Sequence, residues 1–162
     1  GNNQLHNVTC VAQDTRAGNE DTWYFGSGEL TGSSANGGGA YYQGNGIYKS
    51  TDGGLSWDSL AVTATNTNGF DSDFDFIWNV KTDPSNDSLD VVYAAVYSAI
   101  YRSENGGASW TKVLGGGSAY YTNVEVTSTG VVYATLSSDG TDKGIWRSLD
   151  GQNWTNITTK TS

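Results

Sequence analysis

One short pattern recurs along the chain and constrains its fold more than any other feature. The copies align on Ser50, Ser103 and Ser148, at spacings of 53 and 45 residues. They read GIYKSTDGGLSW at 46–57, AIYRSENGGASW at 99–110 and GIWRSLDGQNW at 144–154. Repeats of about 40 to 50 residues, each with four short strands, are typical of β-propeller blades.

Two further elements precede each copy and complete the repeat. The nearer one is rich in aromatic and β-branched residues, which favour strands: TWYFG at 22–26, VVYAA at 91–95 and VVYAT at 131–135. The farther one is NVTCVA at 7–12, WNVKTD at 78–83 and NVEVT at 123–127. The sequence therefore predicts an all-β chain with three propeller blades of four antiparallel strands, over residues 5–60, 76–114 and 120–158.

The residues of the repeated pattern suit a tight turn between the third and fourth strands. Glycine accepts the positive φ that such turns need, and a short Asp or Asn side chain can accept hydrogen bonds from nearby backbone amides. A large Trp ring that follows can pack between neighbouring blades. We therefore expect the pattern to stabilise the fold.

This pattern resembles the Asp-box (BNR) repeat S-x-D-x-G-x-x-W. That repeat occurs in the β-propellers of sialidases, xyloglucanase-type glycoside hydrolases, sortilin-type receptors, photosystem II assembly factors and secreted bacterial proteins. The second copy departs from it with Asn105 in place of Asp. In that family the motif lies away from the active site, so the resemblance implies a structural role for Ser50, Asp52, Gly54, Trp57, Ser103, Asn105, Gly107, Trp110, Ser148, Asp150 and Trp154.

Three blades are fewer than a closed propeller needs, which is about four to eight. The sequence also contains no Met, so we expect a processed chain or part of a longer one. Both observations predict a segment of a larger propeller, with partner blades outside residues 1–162.

The composition excludes several classes of partner. With 17 acidic and 8 basic residues, the formal net charge is -9, which would repel nucleic acid and anionic membranes. No apolar run is long enough for a membrane span. Cys10 is the only cysteine, so neither an internal disulfide nor a cysteine metal cluster can form.

Ligand sites are expected at the end of the blades opposite the repeated turns. The long connection 26–45, the run GFDSDFDF at 69–76 and GGGSAYY at 115–121 should meet there, and long loops are often functional. The candidate ligand residues are Glu29, Tyr41, Tyr42, Asp71, Asp73, Asp75, Tyr120 and Tyr121.

The alternating aspartates raise the question of a metal. An EF-hand loop needs Gly at its sixth position and Glu at its twelfth, but Phe76 and Thr82 occupy them. The simpler interpretation is a strand with Phe74, Phe76 and Trp78 facing the core and all three aspartates facing solvent. We predict no cofactor, with a loosely built calcium site left as an alternative.

Carboxylates beside tyrosines also suit sugar chemistry, because glycoside hydrolysis uses two carboxyl groups and aromatic rings stack on sugars. The arginine triad that the sialidase resemblance would require is absent, since Arg102 and Arg147 belong to the repeat and only Arg16 remains. No residue matches a xyloglucanase catalytic acid by motif, and His6 has no partner at a recognisable spacing. We therefore assign no catalytic residue.

Two hypotheses follow. The first is a non-catalytic binding or structural module of a secreted or cell-surface protein that recognises a glycan or protein. The second is a glycoside hydrolase or lyase propeller whose carboxylates and tyrosines line a glycan cleft.

Overall fold

The computed structural model describes residues 7–32, 40–64, 69–117, 121–137 and 142–158. Among these residues, the strands form three four-stranded antiparallel sheets and one separate two-stranded hairpin. The fold is a β-propeller of four-stranded blades, as predicted.

Each blade is a meander: its four strands are hydrogen-bonded in the order in which they occur in the sequence. Blade 1 contains β1 (Val8–Gln13), β2 (Trp23–Ser27), β5 (Ile47–Ser50) and β6 (Asp58–Ser59). Blade 2 contains β7 (Ile77–Thr82), β8 (Val92–Val96), β9 (Ala99–Ser103) and β10 (Thr111–Gly115). Blade 3 contains β11 (Tyr121–Val126), β12 (Val132–Ser137), β13 (Gly144–Ser148) and β14 (Trp154–Asn156).

The hairpin belongs to the connection between β2 and β5. It contains β3 (Glu29–Gly32) and β4 (Ala40–Tyr42), with Glu29 paired to Tyr42 and Gly32 to Ala40. The connection that the sequence predicted as one long loop is therefore partly an extra pair of strands.

Two hydrophobic cores separate the three blades. Between blades 1 and 2 lie Tyr24, Ile47, Ile77 and Val92, with Cys10 packed against them. This burial raises the pKa of the Cys10 thiol, as expected for a cysteine that acts as a small hydrophobic residue. The second core lies between blades 2 and 3 and contains Val91, Tyr93, Ala95, Ile100, Val124, Val132 and Ala134.

The central blade is covered on both faces and the outer blades on one. All five residues of β8 are buried, whereas buried residues in β12 alternate with less buried ones. A strand buried on both faces reads as a continuous apolar run, and a strand buried on one face alternates. Among the described residues, no further blade covers the outer faces of blades 1 and 3.

Candidate functional site

The meander places the connections of each blade at two opposite ends. The first-to-second and third-to-fourth strand turns lie at one end, here called the turn end (14–22, 50–57, 83–91, 103–110, 127–131 and 148–154). The second-to-third connections and those between blades lie at the other, here called the loop end (described residues 28–32, 40–46, 60–64, 69–76, 97–98, 115–117, 121 and 142–143). Candidate ligand residues were predicted at the loop end.

In the turn of blade 1, Asp52 organises a closed set of hydrogen bonds. The Ser50 hydroxyl donates to Asp52 Oδ1 over 2.7 Å, and the Ser56 backbone N–H donates to the same oxygen over 2.9 Å. The Ser56 hydroxyl donates to Asp52 Oδ2 over 2.6 Å, while the Gly54 N–H donates to Ser50 Oγ over 2.9 Å. These donors, Ser56 foremost, lower the pKa of Asp52 from 3.8 to about 2.

Blade 2 builds the same turn around an amide. Asn105 Oδ1 accepts from the Ser103 hydroxyl and from the Ser109 N–H, each over 2.9 Å. In both blades the turn also anchors its tryptophan, since Trp57 Nε1 donates to the Gly54 carbonyl and Trp110 Nε1 to the Gly107 carbonyl, each over 3.1 Å. An acceptor at the Asp position is therefore enough, and the negative charge is dispensable for the geometry.

Blade 3 has the same turn with one residue fewer. Asp150 Oδ1 accepts from the Ser148 hydroxyl over 3.0 Å and from the Asn153 N–H over 2.8 Å. The Asn153 and Gln152 donors lower the pKa of Asp150 as well. The shortened turn provides no carbonyl for the tryptophan, and Trp154 Nε1 is buried with no hydrogen-bond partner among the described residues.

At the loop end, the extra hairpin of blade 1 lies against the connection into blade 2. The Gly44 N–H donates to the Asp75 carbonyl over 2.9 Å, and Gln43 Nε2 donates to the Gly69 carbonyl over 2.7 Å. A Cβ on Gly28 would lie 1.9 Å from the Asp75 carbonyl oxygen, so only glycine allows this approach. The contacts bring the segment of Glu29 and Tyr42 next to the segment that carries the aspartates.

The alternating orientation predicted for the three aspartates is wrong. Residues Asp73–Asp75 form a 3-10 turn, and Ser72 caps it with a reciprocal pair of side-chain bonds. Asp75 is 1% exposed, and its Oδ2 accepts from the backbone N–H groups of Asp71 and Ser72 over 2.9 and 3.0 Å. Because a turn stands where an alternating strand was expected, Asp75 is buried and binds the backbone of the connection. Phe74 and Phe76 are buried as expected.

Asp73 belongs to a polar cluster on the fourth strand's side of blade 2. Its Oδ2 accepts from the Tyr101 hydroxyl over 2.9 Å and lies 3.0 Å from Lys112 Nζ. Burial and then Asp73 raise the pKa of Tyr101. Burial lowers the pKa of Lys112, but the hydrogen bonds with Asp73 and Tyr101 raise it more, so its pKa lies above 10.5. The Asp73 side chain is thus held in place by a tyrosine hydroxyl and a lysine.

Exposed aromatic rings accompany these carboxylates. Phe70 is 54% exposed, and its ring centroid lies 4.8 Å from that of Tyr97 in an edge-to-face contact and 5.4 Å from that of Phe76. Tyr42 is 41% exposed in the hairpin. At the next blade boundary Tyr121, 48% exposed, lies 5.0 Å from Trp78. Rings held at one edge by other rings offer flat apolar surfaces to a ligand.

Phe70, Tyr97 and Trp78 were missed as candidate ligand residues. Phe70 and Tyr97 are far apart in the sequence, and no sequence spacing predicts the contact between their rings. A local signal did exist for the 3-10 turn, since Ser72 followed three residues later by Asp75 resembles a capping box.

For some of the predicted residues the structure gives no side-chain position. Tyr120 and His6 fall outside the described residues, and the side chain of Tyr41 is not described. Among the described residues, no group of three or more His, Cys, Asp or Glu side chains is arranged to hold a metal ion. In the same part of the chain, no helix has the length and apolar character needed to cross a membrane.

Comparison with curated proteins relates the chain to two xyloglucanases. No family model matches it. The xyloglucanase of Hypocrea jecorina (strain QM6a) is 28% identical, over 71% of this chain and 17% of its own length. A xyloglucanase of Paenibacillus sp is also 28% identical, over 70% of this chain and 13% of its own length. The chain therefore spans less than a fifth of the curated relatives it matches.

Among solved structures, an ancestral GH74 enzyme has a similar fold. The TM-score is 0.62 at 23% identity, and the match covers 93% of this chain and 20% of that one. This likeness supports the β-propeller fold. The two curated relatives, which are named xyloglucanases, favour the second of the two hypotheses over the non-catalytic module.

Proposed function

We propose that this chain is a glycan-binding part of a glycoside hydrolase propeller and that its loop end contacts a xyloglucan-like polysaccharide. The observation that carries the proposal is the similarity to two proteins named xyloglucanase. It is supported by exposed aromatic rings that flank carboxylates on the same end of the blades.

The aromatic rings supply the affinity in this proposal. Pyranose rings present faces of C–H groups that stack on aromatic rings. Phe70 directly precedes the aspartates in the sequence, and Tyr42 belongs to the hairpin whose connection contacts them; both rings are exposed. Asp71, which is exposed, and Glu29, which is half-buried, can accept hydrogen bonds from sugar hydroxyls. The described rings and acceptors thus suit a polysaccharide with neutral sugars.

The carboxylates at this end are better suited to binding than to acid–base catalysis. Hydrolysis needs two carboxyl groups about 5 to 9.5 Å apart on either side of the bond. Asp75 is used by backbone amides, and Asp73 is engaged by Tyr101 and Lys112. We therefore assign no catalytic residue.

Three further expectations stay proposals. The repeated turns are Asp boxes with a structural role, partner blades outside residues 1–162 cover the open faces, and the protein acts outside the cell or on its surface. The location outside the cell is supported by the size of the proposed ligand, because a polysaccharide too large to enter a cell must be bound outside it.

Isothermal titration calorimetry with xyloglucan oligosaccharides tests the proposed function. Phe70→Ala and Tyr42→Ala should each weaken binding by roughly tenfold, because truncating an aromatic anchor costs about 1 to 2 kcal/mol. Leu55→Ala at the turn end, where the leucine is 89% exposed, is the control and should leave binding unchanged.

The outcome that contradicts the proposal is absence of xyloglucan binding by the chain itself, or equal binding by all three variants. A reducing-sugar assay on the same samples separates the two hypotheses. Turnover abolished by Glu29→Gln or Asp71→Asn would place catalysis on this chain, against our assignment of binding alone.

A further inference from the structure

A groove of about 380 Å³ lies at the boundary between blades 2 and 3, and the proposed function does not use it. Glu104 and Gln152 belong to the repeated turns of the two blades, so the groove lies at the turn end. This volume is within the range of about 300 to 1,000 Å³ that is usual for small-molecule sites. The lining residues that carry the argument below are Arg102, Glu104, Thr111, Lys112, Val113 and Gln152.

The repeat is broken at this boundary in two ways that leave room for the groove. Between blades 1 and 2, Leu60 lies so close to the next turn that a Cβ on Gly107 would be 2.4 Å from Leu60 Cδ1. Val113 holds the position of Leu60, three residues after the tryptophan, with a shorter side chain. The turn of blade 3 is one residue shorter, with Gly151 in place of the Gly106–Gly107 pair. Both differences remove atoms from the boundary between blades 2 and 3.

The shorter turn of blade 3 lowers the stability of the fold. Trp57 and Trp110 each donate to a glycine carbonyl, whereas buried Trp154 Nε1 has no partner among the described residues. A buried donor without an acceptor is destabilising. Departures from the most stable local structure are expected at functional sites. The departure in blade 3 coincides with the groove and so favours a binding role for this boundary.

The charged groups around the groove already have partners. Arg102 donates to Glu104 and also to Tyr93 Oη, the latter over 3.1 Å. The Lys112 ammonium lies 3.0 Å from Asp73 Oδ2. A charged ligand would have to compete with these partners or remain uncompensated in the groove. The groove therefore suits a neutral ligand better than an anion.

The polar groups of the groove suit a ligand with many hydroxyls. Thr111 and Gln152 are exposed, and each can both donate and accept hydrogen bonds. Arg102 supplies donors beside the acceptor oxygens of Glu104. A sugar hydroxyl is donor and acceptor at once, and the Val113 side chain offers an apolar contact to the C–H groups of a sugar ring.

We propose that this groove binds one or two sugar units of a neutral glycan and is a second carbohydrate site on the chain. The choice of a sugar rests on the proposed function, whereas the groove and its paired charges do not. Because the groove lies at the turn end, a glycan bound there leaves the aromatic rings of the loop end accessible. The chain then contacts polysaccharide at both ends of its blades.

Titration of the full chain with cellobiose, followed by backbone amide chemical shifts, tests the proposal. The amides of Thr111, Val113 and Gln152 should shift along one saturating curve. Gln152→Ala should raise the dissociation constant of this curve by about fivefold, the effect of losing one hydrogen bond. Thr111→Trp places a bulky residue that favours strands in the groove, and it should abolish the shifts of Val113 and Gln152.

Leu55→Ala is the matched control for Gln152→Ala, because both residues lie two positions before the tryptophan of their turn. It should leave the groove titration unchanged, and so should Phe70→Ala at the loop end. Failure of the groove and failure of the loop-end site are thus read from different residues. If Thr111→Trp unfolds at a lower urea concentration than the wild type, Gln152→Trp at its exposed turn position replaces it.

Three results would overturn the proposal: no saturating shift at the groove, an unchanged dissociation constant in both groove variants, or saturation by sodium phosphate in place of cellobiose. The phosphate titration tests the opposite interpretation, that Arg102 and Lys112 attract an anion. Cellobiose shifts confined to the loop end would keep the proposed function and reject the second site.

Discussion

The two ends of the blades are built on different principles. At the turn end the same hydrogen bonds recur three times, around Asp52, Asn105 and Asp150. At the loop end each connection is different: a hairpin in blade 1, a 3-10 turn before blade 2, and a two-residue turn at 97–98 with Ser98 at a φ of 61°. Repetition at the turn end holds the fold, which leaves the connections at the loop end free to differ.

The largest expected effect concerns a buried ion pair at the turn end. Arg16 lies 2.5 Å from Asp14 and 2.7 Å from Asp90, with Arg16 and Asp14 side chains 9% and 5% exposed. Arg16→Met should lower the free energy of unfolding by about 3 to 5 kcal/mol, since Asp14 is left as a buried, uncompensated charge. Urea denaturation measures the change.

The loop end supplies the control. Lys112→Met removes the Asp73 pair, whose side chains are 40% and 27% exposed. It should cost about 1 kcal/mol or less, because solvent screens such pairs. Equal losses of unfolding free energy in the two variants would contradict the view that the turn end stabilises the fold more than the loop end does.

The next effect compares two turn glycines with the same φ of 72°. Gly53→Ala should cost about 1 to 2 kcal/mol, the strain of a Cβ at positive φ. Gly151→Ala should cost about 3 kcal/mol or more, because its Cβ would also clash with Tyr93 at 1.9 Å. Equal urea midpoints for the two variants would show that the blade boundary does not use this glycine.

The smallest effect concerns acid. A folded pKa of about 2 against an ordinary 3.8 means that ionised Asp52 stabilises the fold above pH 3.8. That stability is lost as the pH falls from 3.8 towards 2. Asp52→Asn copies the turn of blade 2 and should make the urea midpoint fall less steeply in this interval.

Asp150 still titrates in that variant, so part of the acid sensitivity should remain. Asp87→Asn, a change of an exposed aspartate outside the three repeated turns, is the control and should follow the wild type. A variant as acid-sensitive as the wild type would mean that the Asp52 carboxylate contributes nothing to stability.

The sequence predicted the fold well and the loop end only in part, for a physical reason. Each repeated turn is closed by residues within eight positions of one another, so its chemistry can be read locally. Phe70 meets Tyr97, and Gly28 meets Asp75, through contacts that only the folded chain creates. The alternation of Asp71, Asp73 and Asp75 was misleading because Ser72 capped a turn where a strand was expected.

Both described blade boundaries place a turn glycine of one blade against a tyrosine and a cation of the blade before it. Gly106 lies beside Tyr24 and Lys49, and Gly151 lies beside Tyr93 and Arg102. The tyrosine and the cation lie in one repeat and the glycine in the next. Each repeat therefore carries a turn glycine for the repeat before it and a tyrosine–cation pair for the repeat after it. Duplicating or deleting a whole repeat in the gene would therefore again place a turn glycine against a tyrosine and a cation at the new boundary. This one contact of the boundary is kept whenever blade number changes by whole repeats.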